Sequence, residues 1–235
     1  MQEKEKTHEY TGEFTLKAGI AISSFSSATK GTLGAIVYKE GKPMILTNEH
    51  VVITDDPEEE KRNKKLLIDR VKDRGWSLPD DILRRIEKGD IPVFHPPYNG
   101  GEKEAKIIAF VTETDTEFDA ALCEIVVPLE NISREILGET LGEPIPPEED
   151  SNIYKVGCIT DTTAGNVHQV SGKNILVKKI GKSTVSEPGD SGAVFIKSGT
   201  NSPIGLLHKG DDDYTYANAL VSIQAKMGFT FRKPR

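Results

Sequence analysis

Glu187-Pro188-Gly189-Asp190-Ser191-Gly192-Ala193-Val194 sets a serine between two glycines, directly before an apolar run. Glycine on both sides lets the backbone turn tightly and come close to another chain, and leaves the hydroxyl few steric neighbours. Working outward, residues 192–196 and 204–208 read as short strands joined by a Ser-, Gly- and Asn-rich turn. Further short strands are expected at 152–157, 166–170, 174–179 and 214–217. Many short strands with regular turn signals indicate barrels or sandwiches. After them, Leu220, Ile223 and Met227 share one face of a helix expected over 218–227.

The first half has the same texture. Residues 16–23, 32–38 and 44–47 read as strands, with turn chemistry at Glu40-Gly41-Lys42-Pro43 and His50 just past the third. Strands resume at 105–112 and 120–127. Between them, 57–89 reads as a helical hairpin inserted into the sheet. Glu58-Glu59-Glu60 precedes Lys61, Arg62, Lys64 and Lys65, the charge order a helix dipole prefers. Leu66, Leu67 and Val71 give one apolar stripe, and Ile82, Leu83 and Ile86 give another. Ser77 is a candidate cap and Gly89 a stop. The charge run reads as a solvated helix face. The Pro- and acid-rich stretch 128–151 has linker composition and divides the chain in two, while 1–13 reads as a frayed polar lead-in.

Composition removes several function classes. The chain has 235 residues, 30 basic and 37 acidic, for a net charge of −7. A chain of this length buries roughly 70–75% of its unfolded surface and needs no metal or disulfide staple. With 29% charged and 36% hydrophobic residues it is polar, yet not disordered in composition. The longest apolar run, 107–111, is far short of a membrane helix, so no membrane partner is expected. An acidic balance without a basic block argues against nucleic-acid binding. Met1-Gln2-Glu3-Lys4-Glu5-Lys6 is not followed by an apolar run, so a secretory signal is not expected. The two cysteines, Cys123 and Cys158, read as free thiols within strands, which predicts a cytoplasmic, intracellular setting.

Acyl transfer at a carbonyl needs a nucleophile, a base that works near neutral pH, a carboxylate that orients the base, and donors for the oxyanion. Ser191 supplies the first, and the amides of Gly189 and Ser191 can point to one spot. Leu46-Thr47-Asn48-Glu49-His50-Val51-Val52 places a histidine at a strand end. Phe118-Asp119-Ala120-Ala121-Leu122 places a carboxylate before small and apolar residues, where burial is expected. Asp115 is an alternative acid, set in more polar surroundings.

These three stretches resemble the trypsin-like serine peptidases of the chymotrypsin clan, and Gly189-Asp190-Ser191-Gly192 is identical to the clan's serine motif. The order His, Asp, Ser is also that of the clan, unlike the orders of α/β-hydrolases and subtilisins. The resemblance covers about residues 14–228. It implies an all-β fold of two six-stranded antiparallel barrels, with the helical insertion in the first half and a C-terminal helix. The first barrel, 14–130, would carry His50 and Asp119. The second, 152–228, would carry Ser191, with the site in the cleft between them. It also implies His50 as acid–base, Asp119 as its orienting carboxylate, Ser191 as nucleophile, and Gly189 with Ser191 as oxyanion donors.

Departures from the clan sharpen the expectations. No Ile-Val-Gly-Gly start supplies an amine for Asp190, so Asp190 needs another partner. The extracellular members' disulfides are absent. By resemblance, the pocket for the side chain before the scissile bond is walled by 183–188 and 206–210. Val185 stands at its bottom in place of an acid, so cleavage after Lys or Arg is not expected. Leu207-His208-Lys209-Gly210 is similar to the histidine-bearing strand of the clan's glutamyl endopeptidases, so His208 with Ser186 is a candidate pair for a glutamate carboxylate beside Gly210. The alternative is a histidine satisfied on its own barrel strand.

His8, His95 and His168 lack metal-ligand spacing, Asp211-Asp212-Asp213 lacks the EF-hand offsets, and no cofactor or metal is expected. Asn131-Ile132-Ser133 reads as a chance sequon. The expected partner is a protein or peptide substrate, with a regulatory protein or flanking domain as a further possibility; 57–89 is the candidate regulatory surface. The rival readings are a trypsin-fold binding module that has lost turnover, and an esterase on the same fold.

Overall fold

The computed structural model describes residues 15–26, 29–73, 78–97, 105–181 and 183–233. The lead-in and the Ser77 cap lie outside these residues. The first half contains β1 (Ala21–Ser24), β2 (Gly31–Thr32), β3 (Ala35–Lys39), β4 (Lys42–Thr47), a helical turn α1 (Glu49–Val52), α2 (Pro57–Asp73), α3 (Asp80–Lys88), β5 (Pro92–His95), β6 (Lys106–Asp115) and β7 (Ala120–Ile125). Its seven strands form one antiparallel sheet in the order β2-β1-β5-β6-β7-β4-β3. The two edges are halves of one bent run, broken only at Leu33 and Gly34. There Leu33 N donates to Ile20 O at 3.0 Å and Gly34 N to Leu46 O at 2.9 Å, which curls the sheet back on itself. Counting β2 and β3 as one bent strand gives the six expected.

The β3–β4 turn follows from its residues. Glu40 and Gly41 both take positive φ, 51° and 81°, the combination a two-residue hairpin needs to match strand twist. β5 was not apparent from sequence, because Pro92-Val93-Phe94-His95 is only four residues long and follows the helix directly.

The second half is a closed six-stranded barrel: β10 (Asn152–Gly157), β11 (Asp161–Ser171), β12 (Asn174–Lys179), β15 (Tyr214–Ala219), β14 (Ser202–Gly210) and β13 (Val194–Lys197), in spatial order. Helix α4 (Leu220–Met227) follows, with Leu220, Ile223 and Met227 buried as the spacing predicts. The stretch 128–151 has more structure than linker composition suggests. It contains a 3-10 turn, Leu129–Asn131, and a small hairpin, β8 (Glu135–Ile136) with β9 (Glu139–Thr140). Ile136 and Leu141 are buried in a cluster with Val37, Leu46 and Leu122 of the first half and Val194, Leu206 and Ile223 of the second. That shared core joins the halves, and the other two barrel clusters are internal to one half each. The chain end adds a further link, because Tyr38 and Thr230 exchange two backbone hydrogen bonds of 2.7 and 2.9 Å.

The helical hairpin is present and lies on the first barrel. Asp56 Oδ1 accepts from the N–H groups of Glu58 and Glu59 (3.0 and 3.3 Å), so α2 is started by a side-chain cap. Gly89 closes α3 at φ +107°. Leu67, Ile82 and Ile86 pack with Phe94, Ile107 and Phe110 of β5 and β6. Arg85 lies 4.1 Å over the Phe110 ring and also pairs with Asp90 and Glu124. Ile86 is fully buried, so Ile86→Ala is expected to cost about 2–5 kcal/mol in denaturant unfolding. A loss below the scatter of surface substitutions would show that the hairpin is not part of the packed unit.

Candidate active site

The Ser191 loop is shaped by its own short-range bonds. Asp190 N donates to Glu187 O at 2.9 Å and Ala193 N to Asp190 O at 3.0 Å. Gly192 N and Leu207 N then bond Leu207 O and Ala193 O, both at 2.9 Å, fastening the loop to β14. Gly189 and Gly192 adopt φ of +107° and +96°, which side chains other than glycine rarely tolerate. The loop also rests directly on the first half. A Cβ on Gly192 would stand 2.3 Å from Thr32 O, and one on Gly34 would stand 2.0 Å from Gly192 O. Thr32 N donates to Ser191 O at 2.7 Å, and Thr32 Oγ1 to Gly189 O at 3.0 Å.

His50 lies in α1, just after β4. Asp119 lies in the turn before β7. β4 and β7 are paired neighbours, with Thr47 opposite Ala121, and this brings the two side chains together. His50 Nδ1 is 2.7 Å from Asp119 Oδ2, and His50 N donates to Asp119 Oδ1 at 3.0 Å. Both carboxylate oxygens therefore grip one residue. Asp119 takes φ +46°, and Asn48 Nδ2 donates to its carbonyl at 2.6 Å. From the second half, Asn218 Nδ2 donates to Phe118 O at 2.8 Å, so the turn is pinned across the seam. Asp119 is half-buried, its side chain 26% exposed, and the His50 side chain is 42% exposed. Asp115 instead accepts from Phe118 N at 3.0 Å and shapes that same turn.

Ser191 comes against the first half at Gly31. Gly31 lies between Val51 and Ser191, since its Cβ would fall 2.3 Å from Val51 Cγ2 and 2.9 Å from Ser191 O. Ser191 Oγ donates to His208 O at 3.2 Å in this substrate-free arrangement. Among the described residues, no acceptor takes the N–H of Gly189 or of Ser191. Two unpaired amides on one tight loop are what an oxyanion-binding site requires.

Asp190 has a buried lysine as its partner. Lys155 Nζ donates to its Oδ2 at 2.9 Å, and both side chains are fully buried. Thr160 Oγ1 adds 2.6 Å, and the N–H groups of Ile159, Glu187 and Thr160 add 2.9, 3.1 and 3.3 Å. Burial pushes the Asp190 carboxyl up, but the Thr160 and Lys155 bonds outweigh it and hold the group below its ordinary value. Burial likewise lowers the Lys155 ammonium, against the pull of Asp190. Lys155 was missed in the sequence, although it left a trace. Ile153, Lys155 and Gly157 share the inward face of β10, and a lysine in that row is out of pattern.

The expected pocket residues fall into two groups. Val185 is buried in the core of the second barrel, its carbonyl taken by Thr163 Oγ1 at 2.6 Å. Ser186 Oγ shares a 2.9 Å hydrogen bond with Thr215 Oγ1, and Gly210 packs against it. His208 stands apart from these. It is the extra residue in a bulge between Leu207 and Lys209, and no hydrogen bond joins it to Ser186 among the described residues. Burial lowers its pKa, and its charged surroundings are Asp119, Lys209, His50 and Lys173.

Both cysteines are free. Cys123 is fully buried in β7, where burial pushes its thiol far up. Cys158 lies in the turn after β10 rather than in a strand, and its Sγ donates to Gly189 O at 3.1 Å. Asp211 Oδ1 accepts from Asp213 N and Tyr214 N, an exposed turn closure. Among the described residues no group of three His, Cys, Asp or Glu is placed to hold a metal, and no helix is long and apolar enough to cross a membrane.

No protein-family model matches the chain, and no curated protein sequence does. Solved structures do match. A glutamic-acid-specific serine protease, whose substrate binding uses a histidine triad, superposes with a TM-score of 0.57 at 14% identity, over 92% of this chain and 99% of that one. Thermobifida fusca protease A gives 0.57 at 11% identity, over 92% and 97%. An alpha-lytic protease homologue, N4, gives 0.58 at 12% identity, over 93% and 100%. The chain therefore has the two-barrel fold of the chymotrypsin-like serine proteases, as its three motifs implied.

Proposed function

We propose that this protein is a serine endopeptidase working through His50, Asp119 and Ser191. The observation that carries the reading is the double grip of Asp119 on His50, 3.0 Å to the backbone N–H and 2.7 Å to Nδ1, beside the Ser191 loop. Held this way, His50 presents Nε2 as the base. Ser191 Oγ leaves the His208 carbonyl, attacks the substrate carbonyl carbon and passes its proton to His50. The oxyanion forms against the N–H groups of Gly189 and Ser191, each donor of this kind being worth about 2.7–4 kcal/mol. His50 then protonates the leaving amine, an acyl-enzyme remains on Ser191, and water repeats the sequence in reverse.

A binding module without turnover is the second reading. What favours it is that Ser191 Oγ bonds His208 O at 3.2 Å. Catalytic bonds are often loose before substrate arrives, so this arrangement is compatible with either reading. A fluorophosphonate probe, which phosphonylates only activated serines, separates them. The wild type is expected to label at Ser191, and Ser191→Ala and His50→Ala are expected not to. No labelling of the wild type would remove the peptidase and esterase readings together. Cleavage of a peptide library, with Ser191→Ala as control, then separates peptidase from esterase.

A further inference from the structure

The two walls expected to flank the pocket for the residue before the scissile bond touch each other. On one wall, Ser186 is 9% exposed. On the other, Gly210 is so close that a Cβ there would stand 2.5 Å from Ser186 Oγ. The hydroxyl is thus already in contact with the glycine. The same Cβ would be 3.5 Å from Thr215 Oγ1, and Thr215 is 2% exposed and hydrogen-bonded to Ser186 at 2.9 Å. Beneath them, Val185 is 4% exposed and belongs to the barrel core. A methylene inserted between two walls needs about 3.5–4.0 Å to the atoms on each side. That space is taken by the Ser186–Thr215 pair.

We infer that Ser186 and Thr215 close the side-chain pocket against Gly210, so that the protein cleaves after glycine or alanine and rejects larger residues. The inference rests on the proposed serine peptidase and names its substrate class. A larger side chain must push Ser186 away from Gly210 and break its bond to Thr215. The Thr215 hydroxyl is then left buried without a partner, an outcome proteins disfavour strongly. His208 does not offset this with a charge for glutamate. It is the bulged residue between Leu207 and Lys209, with no hydrogen bond to Ser186 among the described residues, and burial holds its ring below the ordinary histidine pKa.

The test compares kcat/KM on peptide substrates differing only in the residue before the cleaved bond: Gly, Ala, Val, Leu, Phe, Glu and Lys. Fluorophosphonate labelling is run on the same preparation. Alanine or glycine is expected to exceed leucine, phenylalanine and glutamate by at least tenfold, since each misfitted methylene is worth on the order of 10–200-fold. In Ser186→Gly/Thr215→Ala, checked for folding by circular dichroism, the leucine substrate should gain tenfold or more relative to alanine. Labelling at Ser191 with leucine, phenylalanine or glutamate turned over as well as alanine would overturn the inference and leave the serine hydrolase standing. No labelling and no turnover would overturn both. A folded double variant with an unchanged profile would also overturn the inference, and the wild-type profile decides it if that variant does not fold.

Discussion

Ser191→Ala is expected to reduce peptide turnover by on the order of 10⁶-fold, with the protein still folded and substrate still bound. The side chain is small and sits at the seam, and among the described residues its Oγ makes one hydrogen bond, to His208 O. Little stability is therefore lost with it. What remains after removal is the oxyanion contribution, about 10³–10⁴ over water. Because nucleophile and base act as a unit, His50→Ala in the Ser191→Ala background should lose almost nothing more. Asp119→Asn should cost about 10⁴-fold, since an amide facing Nδ1 favours the wrong tautomer. It also weakens the acceptor for the His50 N–H, which stands at 3.0 Å. Single-turnover kinetics on an activated ester measures all three. Additive losses would mean that the groups do not form one relay.

The second large effect is expected at Lys155. Lys155→Met leaves the Asp190 carboxylate buried and short of its cation, which costs about 3–5 kcal/mol. Against a typical total of about 5–15 kcal/mol that is a severe change. It also frees the loop that presents Gly189 and Ser191, because Asp190 holds Ile159, Thr160 and Glu187 through the same carboxylate. Activity should therefore fall with stability. Lys155→Met/Asp190→Asn should recover much of the stability, since no lone charge remains, but not the activity.

The acid limb follows from the same pair. Asp190 is held below its ordinary value of 3.8, so on acidification the unfolded chain takes up that proton first. Its contribution is complete at neutral pH and is lost as pH falls below about 4 and through the folded value. The double variant should lack that part of the acid dependence. Urea unfolding from pH 3 to 7 checks both claims. A cost below about 1 kcal/mol for Lys155→Met, the range of exposed ion pairs, would show that Lys155 is not the counter-charge of Asp190.

These effects explain why some of this protein was apparent in the sequence and some was not. The strands 152–157 and 174–179 are legible to the residue, because alternation and flanking turn residues are local signals. The helical hairpin is equally clear, from its charge order, the Ile82 and Ile86 spacing and Gly89. The three motifs stand out because each puts a reactive side chain next to an apparent strand, beside small residues at Asp119 and Ser191 and before an apolar pair at His50. β5 does not, because four residues carry too little periodicity. The hairpin hidden in 128–151 does not, because Pro and acidic residues mask the buried Ile136 and Leu141.

By itself, the sequence determined the all-β architecture, the order of His50, Asp119 and Ser191, and the expectation that Asp190 needs a partner. Tertiary structure alone decided that Lys155 is that partner, that His208 falls at a bulge, and that Ser186 meets Gly210 and Thr215. Each of these depends on pairing between distant segments. Lys155 meets Asp190 only when β10 closes against β13. His208 falls at a bulge in the β14–β15 pairing, where a one-residue slip moves a side chain to the opposite face of a strand. Ser186 touches Gly210 only once Gly210 pairs with Thr215 across β14 and β15. Local composition sets the pieces and their periods, whereas register and close approach are settled by packing of the whole chain.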